Sequence, residues 1–281
     1  MKIFLNIQII FRRRWIVKVS IAQLSSSFDK IENAKKAVAY IENAKKKGAD
    51  LVVLPEMYMS AIKPKAGILP VTVAESLKGP FVSTLASAAA ENQIYVVCGM
   101  YEKKQNESER AYNTTVFLDR NGNLIHSYRK THLYDAFSYK ESDTIIPGEN
   151  PYQVIETEFG KIGLLVCYEL RFPEIARQFA LQGADFIIVP AGWFTGAVKE
   201  EHWEILLRAR AIENTVYMIG SNQVEHVYSG RSMIVDPMGV IVASAGEEEA
   251  LLFTEIDVDR INRVRAKLPS VSHRKPELYE K

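Results

Sequence analysis

The chain has 281 residues, of which 47% are hydrophobic and 25% are charged, and these proportions are ordinary for a soluble globular protein. Its 35 basic and 34 acidic residues leave a formal net charge of +1, which gives no electrostatic basis for binding nucleic acid or an anionic membrane. The two cysteines form no disulfide framework and favour a reducing, cytoplasmic environment, and no run of about 18 apolar residues predicts a transmembrane helix.

Residues 1–16, MKIFLNIQIIFRRRWI, precede the first clear strand and allow two interpretations. They are either a basic, apolar arm, or a segment that is not made because translation starts at Val17. In the second case Arg12-Arg13-Arg14 is a purine-rich ribosome-binding site read as protein. We favour the second interpretation, because VKVSIAQ, which follows, is already a complete strand. The N-terminal mass of the protein made from its native gene would distinguish the two.

The first half of the chain predicts strands that alternate with helices. Apolar residues recur at helical spacing over 29–47, and a second helix is predicted over 81–92. Apolar runs predict strands over 17–24, 51–56 and 94–101. Asn121-Gly122 then lies between two strand-like segments, AYNTTVFLD and LIHSYRK, which is a strong signal for a β-hairpin.

The second half adds another hairpin, two helices and further strands. Residues 152–169 predict a hairpin that turns near 159–161, and the helices are predicted over 173–182 and 199–214. A mixture of αβ units and hairpins favours mixed sheets that are covered by helices, which is a layered α/β architecture. We therefore predict one domain over residues 17–258, followed by a tail at 259–281 that is a candidate for docking a dimer partner.

Cys167 lies in GLLVCYELRFPE, where an apolar run ends and polar residues follow. Pro173 suits the first turn of a helix, so the thiol is expected in a tight turn between a strand and a helix. A helix N-terminus stabilises a thiolate and offers free backbone N–H groups to an oxyanion. The alternative is that Cys167 is a small buried hydrophobic residue, which is our interpretation of Cys98 in VVCGM.

Three further residues could act together with this thiol. Glu56 ends the apolar run LVVLPEM, where the sheet could shield a carboxylate that exchanges a proton with the thiol. Lys130 ends LIHSYRK, and an ammonium close to the thiol would stabilise both a thiolate and a tetrahedral oxyanion. Each of these residues also has an interpretation without a catalytic role. Glu56 could be a solvated strand end, Lys130 a surface lysine and Glu141 a solvated loop residue.

Together the segments LPEM, YRKTHLYD with ESDTIIPGE, and GLLVCYELRFPE resemble the three motif blocks of the nitrilase superfamily of carbon–nitrogen hydrolases. The resemblance extends from Val17 to about Asp257, and it includes HWEILLRARAIEN and GRSMIVDPMG. It implies a four-layer αββα sandwich that forms a homodimer or a higher homo-oligomer. It also implies a small-molecule amide substrate and no metal or organic cofactor.

The same resemblance implies roles for five residues. Cys167 falls on the nucleophile, Glu56 on the general base and Lys130 on the oxyanion stabiliser. Glu141 falls on the second glutamate of the family, which positions the lysine and the substrate. The backbone N–H of Tyr168 falls on the second oxyanion donor.

CYELRFPE closely resembles the CYDLRFPE of omega-amidases and deaminated glutathione amidases. In that branch the arginine helps to hold a substrate carboxylate, so Arg171 is our candidate anchor, and pairing with a glutamate or a dimer partner is the alternative. Trp193 and Phe194 would either line the pocket mouth or belong to the core, and Thr195 is a candidate polar contact. The chain departs from the branch at Glu169, where aspartate is common, and in AGWFTGAVKEEHW, which has one additional residue.

The sequence thus predicts cysteine-dependent hydrolysis of a small carboxamide, of the omega-amide type, to a carboxylate and ammonia through a thioester. The alternatives within the family are hydrolysis of an N-carbamoyl amine or amino acid, and a nitrilase activity. An alternative of another class is a catalytically idle interaction protein. Such a protein would have no need to keep Glu56, Lys130, Glu141 and Cys167 together.

Overall fold

The computed structural model describes residues 16–279. Its strands are β1 (Ile16–Gln23), β2 (Leu51–Val53), β3 (Tyr95–Glu102), β4 (Ala111–Leu118), β5 (Leu124–Arg129), β6 (Asp135–Ala136), β7 (Tyr139–Lys140), β8 (Ile145–Ile146), β9 (Ile155–Thr157), β10 (Gly160–Leu164), β11 (Phe186–Ala191), β12 (Tyr217–Asn222), β13 (Val224–Glu225), β14 (Tyr228–Ser229), β15 (Met233–Val235), β16 (Ile241–Ser244) and β17 (Ala250–Asp257). The two interpretations of residues 1–16 concern a segment outside the described residues, except for Ile16, which begins β1.

The α-helices are α1 (Lys30–Lys46), α2 (Pro70–Val73), α3 (Pro80–Asn92), α4 (Pro173–Leu181), α5 (Lys199–Asn214) and α6 (Asp259–Lys267). Short 3₁₀ helices cover Pro64–Ala66, Glu141–Asp143, Cys167–Arg171 and Pro276–Leu278. Over the described range, none of these helices has the length and apolar character needed to cross a membrane.

Two sheets form the centre of the molecule, and their topologies are alike. The first has the strand order β17-β1-β2-β3-β4-β5, with β8 beside β4, and the second has the order β16-β15-β12-β11-β10-β9. In each sheet three neighbouring strands are parallel, β1 to β3 in the first and β10 to β12 in the second, and antiparallel strands flank them. The carboxyl ends of parallel strands in such sheets are where ligands usually bind.

Alternation of side chains along the strands produces the layers. Val19 and Ile21 of β1 belong to a buried cluster that contains the second sheet and residues of α4 and α5. Ala22 and Val52 point the other way and pack with residues of α1 and α3. Successive side chains of a strand face opposite sides, so the first sheet contacts helices on one face and the second sheet on the other. The predicted four-layer αββα sandwich is confirmed.

Local sequence accounts for several of the element boundaries. The Asp29 carboxylate caps α1 by accepting from the backbone N–H groups of Ile31 and Glu32, as is usual for an aspartate at a helix start. Pro173 is the first residue of α4, where its missing N–H costs no hydrogen bond. Gly122 has a φ of 79° in the turn between β4 and β5, which confirms the predicted hairpin.

Strand β2 is shorter than predicted, because it ends at Val53 and not at Glu56. The strand lies between β1 and β3, and Pro55 has no N–H to contribute to a ladder of hydrogen bonds. The chain therefore turns, and Glu56 lies in this turn.

Two segments hold more structure than the sequence indicated. Residues 133–151, for which the sequence predicted no helix or strand, contain the small hairpin β6–β7, the 3₁₀ helix Glu141–Asp143 and β8. After β17, helix α6 buries Ile261 and Val264 against the protein, and Arg265 donates to the carbonyl oxygen of Ala184 at 2.7 Å. Docking of a partner by the tail at 259–281 stays a prediction.

Candidate active site

Glu56 lies just beyond the carboxyl end of β2, and its carboxylate is 1% exposed. Its Oε1 accepts from Lys130 Nζ at 3.0 Å and from Asn113 Nδ2 at 2.7 Å, and its Oε2 accepts from the backbone N–H of Gly192. Gly99 of β3 permits this arrangement, because a Cβ at that position would lie 2.4 Å from Met57 N. The carboxylate is therefore fixed in orientation and shielded from water.

Lys130 follows the last residue of β5, and its ammonium lies between two carboxylates. Nζ donates to Glu56 Oε1 at 3.0 Å and to Glu141 Oε2 at 2.8 Å. Burial alone would lower the pKa of Lys130, but the negative charges of Glu141 and Glu56 outweigh it and raise the pKa well above its usual range. The side chain is therefore a permanent cation at the base of the site.

Glu141 begins a 3₁₀ helix in the segment after β7 and is buried. Its Oε2 accepts from Lys130 Nζ and from the backbone N–H of Tyr134 at 2.7 Å. Its Oε1 accepts from Asn113 Nδ2 at 3.2 Å. Thus Glu141 is the second carboxylate that fixes the position of the lysine.

Cys167 starts the 3₁₀ helix Cys167–Arg171 with a φ of 48°, in the left-handed region that side chains other than glycine rarely adopt. The first internal bond of this helix joins Glu169 N to Val166 O, so the N–H groups of Cys167 and Tyr168 precede the hydrogen-bonded turn. Cys167 and Tyr168 both line the same pocket. A residue kept in such a conformation is common at functional sites.

The electrostatics of the thiol differ from the sequence prediction of a thiolate stabilised by a helix N-terminus. The turn after Cys167 is a short 3₁₀ helix, and α4 starts only at Pro173. Burial raises the pKa of Cys167, the Glu56 carboxylate raises it further, and the opposing effect of Lys130 does not compensate. At neutral pH the group is therefore a protonated thiol.

Asn113 is a site residue that sequence reasoning missed. It lies in β4, is buried, and its Nδ2 donates to both Glu56 and Glu141. The sequence feature that could have indicated it is an asparagine within the strand AYNTTVFL, because a buried amide side chain needs hydrogen-bond partners. A single neutral donor therefore joins the two carboxylates that flank Lys130.

Glu169 is a second residue whose position the sequence did not explain. Its Oε1 accepts from Tyr128 Oη at 2.7 Å and from both the N–H and the hydroxyl of Thr131, and its Oε2 accepts from Val166 N. Burial raises the pKa of this carboxyl, but the hydrogen bonds from its partners outweigh burial and lower it. Glu169 thereby joins the Cys167 turn to the segment that follows Lys130.

A cavity of about 530 Å³ opens onto these groups, and Glu56, Lys130, Glu141 and Cys167 all line it. Its volume is within the range of small-molecule binding sites, about 300–1,000 Å³. Aromatic residues contribute part of the remaining wall, namely Tyr101, Tyr134, Tyr139, Tyr168, Trp193, Phe194 and Tyr228.

The predicted substrate contacts occupy different positions around this cavity. The Arg171 guanidinium lines it, stacks 4.6 Å from the ring centroid of Trp193, and lies 3.5 Å from His202 Nδ1. Trp193 is both a buried residue and a lining residue. Phe194 lines the cavity and stacks on Tyr228 at 5.6 Å between ring centroids.

Thr195 lies apart from these residues. Its side chain is exposed and does not line the cavity, and its backbone N–H donates to Val227 O. Cys98 is fully buried in the first sheet, as predicted.

Comparison with known proteins gives consistent similarities. A family model described as "Carbon-nitrogen hydrolase" matches residues 18–266. A deaminated glutathione amidase of Escherichia coli O157:H7 is 36% identical over 244 residues, which are 87% of this chain and 92% of that protein. The omega-amidase NIT3 of Saccharomyces cerevisiae is 36% identical over 282 residues, and the alignment covers 94% of each chain.

The fold is also found among solved structures. The crystal structure of Saccharomyces cerevisiae Nit3, described as a member of branch 10 of the nitrilase superfamily, superimposes with a TM-score of 0.81. The two chains are 34% identical, and the match covers 91% of this chain and 95% of that one.

Proposed function

Because the chain belongs to the carbon–nitrogen hydrolase family, we propose that it hydrolyses small carboxamides to a carboxylate and ammonia with Cys167 as the nucleophile. The observation that carries this proposal is the convergence of the Cys167 thiol, a buried Glu56–Lys130–Glu141 network and a cavity large enough for a small molecule. The names of the relatives favour an amide over the N-carbamoyl and nitrile alternatives, and they do not favour an idle interaction protein.

The reaction begins with proton transfer from the thiol. Since the pKa of Cys167 is raised, the thiol carries its proton at neutral pH, and the Glu56 carboxylate is the base beside it. As Glu56 takes this proton, the sulfur attacks the amide carbon and a carbon–sulfur bond forms. The three donors that bind Glu56 fix its orientation toward the thiol.

The negative charge that develops on the substrate oxygen needs donors that are already in place. Lys130 supplies a permanent positive charge, and Glu141 fixes its ammonium. The backbone N–H of Tyr168 supplies a second donor from the turn that carries the nucleophile. Preorganised donors in a shielded site are worth about 3–4 kcal/mol each to such a transition state.

Collapse of this intermediate releases ammonia. Glu56 returns the proton to the leaving nitrogen, the carbon–nitrogen bond breaks, and a thioester to Cys167 remains. A water molecule then gives a proton to Glu56 and attacks the thioester. The carboxylic acid leaves, and the sulfur recovers its proton from Glu56, so that one water is consumed for each amide cleaved.

The substrate class that we propose is an omega-amide, which carries a carboxylate away from the amide group. Arg171 supports this choice, because it lines the cavity and no carboxylate within residues 16–279 pairs with its guanidinium. The alternative was that Arg171 pairs with a nearby glutamate. Instead, the guanidinium stacks on Trp193, which leaves its N–H groups open for a substrate carboxylate. The two relatives named above bear amidase names.

We further propose a homodimer or larger homo-oligomer in the cytoplasm. Support for association comes from exposed apolar side chains on α5 and after β15, namely Ile205, Ile212, Met238 and Val240. Support for a reducing compartment comes from the two free cysteines. Light scattering of the purified protein and fractionation of its host cells test these two statements.

Ammonia release from a panel of omega-amides, N-carbamoyl compounds and nitriles tests the proposed function. We expect release from omega-amides by the wild-type protein and none by Cys167→Ala, with the same circular dichroism spectrum for both. Carbon dioxide release from carbamoyl compounds, or ammonia release by Cys167→Ala, would contradict the proposal.

A further inference from the structure

Lys199 is a second cation on the cavity wall, and the proposed reaction does not use it. It is the first residue of α5, half-buried, and its side chain lines the same cavity as Cys167. Its Nζ lies 4.4 Å from the ring centroid of Phe137, 5.7 Å from that of Phe194 and 5.9 Å from that of Tyr134. These three rings surround the ammonium group and orient it.

The Lys199 ammonium has no carboxylate partner within residues 16–279. Its Nζ donates to the Tyr134 hydroxyl at 3.3 Å. By contrast, Lys130 contacts two carboxylates, and Lys140, which also lines the cavity, pairs with Asp143 at 3.0 Å. A half-buried cation that contacts aromatic faces has lost part of its hydration, so an incoming carboxylate would form a strong, charge-assisted hydrogen bond with it.

Arg171 and Lys199 occupy separate positions on the wall. The guanidinium of Arg171 stacks on Trp193, whereas the ammonium of Lys199 lies among the rings of Tyr134, Phe137 and Phe194. The indole of Trp193 contacts both residues, because its ring stacks on the Arg171 guanidinium and its Nε1 donates to Lys199 O at 2.7 Å. The Nε of Arg171 is itself buried, and no group within residues 16–279 forms a hydrogen bond with it. Two anionic groups could thus bind the cavity at once.

We propose that Lys199 forms a second anion subsite, so that the substrate is an amide that carries two carboxylates, one bound at Arg171 and the other at Lys199. This inference rests on the proposed function and narrows its substrate class. The cavity volume of about 530 Å³ lies within the range of small-molecule binding sites, so a dianion of this kind fits it.

The test compares two amides of equal length that differ only in the presence of the second carboxylate. For the wild-type protein we expect a higher kcat/KM with the dicarboxylate amide. Lys199→Gln should reduce this preference about tenfold, through KM, which is the usual order for one charge-assisted contact. Lys199→Arg should retain most of it. Lys140→Gln is the matched control, because it removes the same charge from the same cavity and should keep the preference.

Binding measurements separate this inference from the proposed function. Cys167→Ala, studied by calorimetry, should bind the dicarboxylate amide more tightly than the monocarboxylate amide, and adding Lys199→Gln should remove the difference. An equal preference in the wild-type and Lys199→Gln proteins, or no preference in the wild type, would overturn the second subsite while Cys167-dependent ammonia release stands. Absence of ammonia from every amide would contradict the proposed function, and the calorimetry would still decide whether Lys199 binds an anion.

Discussion

The backbone N–H of Gly192 donates to Glu56 Oε2 at 2.6 Å, although the two residues are 136 positions apart. Glu56 follows β2 of the first sheet, and Gly192 follows β11 of the second, so this bond joins the carboxyl ends of the two sheets. The proposed base is therefore held by both halves of the sandwich. Displacement of either half would alter the orientation of the carboxylate relative to Cys167.

Loss of the buried ammonium should affect stability as well as activity. We expect Lys130→Met to abolish ammonia release and to lower the free energy of unfolding by about 3–5 kcal/mol at neutral pH, because it leaves Glu56 and Glu141 buried without a counter-charge. Because the pKa of Lys130 is raised by folding, its contribution is fully present at neutral pH. Urea unfolding measures the difference. In the control Lys140→Gln, an exposed ion pair is lost, and we expect a change below about 1 kcal/mol. Equal stability of the two variants would contradict the prediction.

The hydrogen bonds of Glu169 predict a change in the acid stability of the protein. Its pKa lies below the ordinary value of 4.5 in the folded state, so its stabilising contribution is present above that pH and is lost as the pH falls through the folded-state pKa. We expect Glu169→Gln to unfold more easily at neutral pH, by about 1–3 kcal/mol, and to lose less stability than the wild type on acidification.

The measurement is urea unfolding of wild type and Glu169→Gln at a series of acidic pH values. A fall in kcat should accompany the change, since Glu169 positions the Cys167 turn relative to Thr131. If the free energy of unfolding falls equally steeply with acidification in both proteins, Glu169 is not responsible for the pH dependence.

Gly99 gives a steric prediction. An alanine Cβ would lie 2.6 Å from the Cα of Glu56, so we expect Gly99→Ala to shift the turn that carries the base and to reduce kcat by about 10²-fold, the order of effect expected from a displacement of about 1 Å. Gly246→Ala is the control, because a Cβ there meets nothing within 4 Å. Steady-state ammonia release compares the two. Wild-type kcat in Gly99→Ala would mean that the turn adapts without moving the carboxylate.

The raised pKa of Cys167 predicts that the protein loses stability in alkali. Above the ordinary thiol value of 9.0 the unfolded chain releases the Cys167 proton while the folded protein keeps it. The unfolded state then binds fewer protons, so the free energy of unfolding falls as the pH rises. Cys167→Ala should show a shallower fall than the wild type in urea unfolding at alkaline pH.

Cys98 supplies the comparison for that measurement. Burial raises its pKa as well, so Cys98→Ala should also be less sensitive to alkali, but it should continue to release ammonia. If the free energy of unfolding of both variants falls with rising pH as steeply as that of the wild type, folding does not hinder loss of the proton from either thiol.

Much of the local structure could be predicted from the sequence, because it depends on residues close together in the chain. The helical spacing of apolar residues located α1, and the Asn121-Gly122 turn located the β4–β5 hairpin. Polar residues at the ends of apolar runs indicated Glu56 and Cys167 as candidates. The motifs around them, by their resemblance to a known family, indicated the four-layer fold that the structure confirms.

Other features were decided only by the tertiary structure, because they depend on contacts between distant residues and on the exclusion of water. Nothing in the strand AYNTTVFL shows that Asn113 bonds both Glu56 and Glu141, and nothing in the spacing of the chain shows that Lys199 shares a cavity with Arg171. The raised pKa of Cys167 follows from burial and from the nearby carboxylates of Glu56 and Glu141. The sequence determined which chemical groups are available, and the packing of one sheet on the other determined their distances, charges and access to solvent.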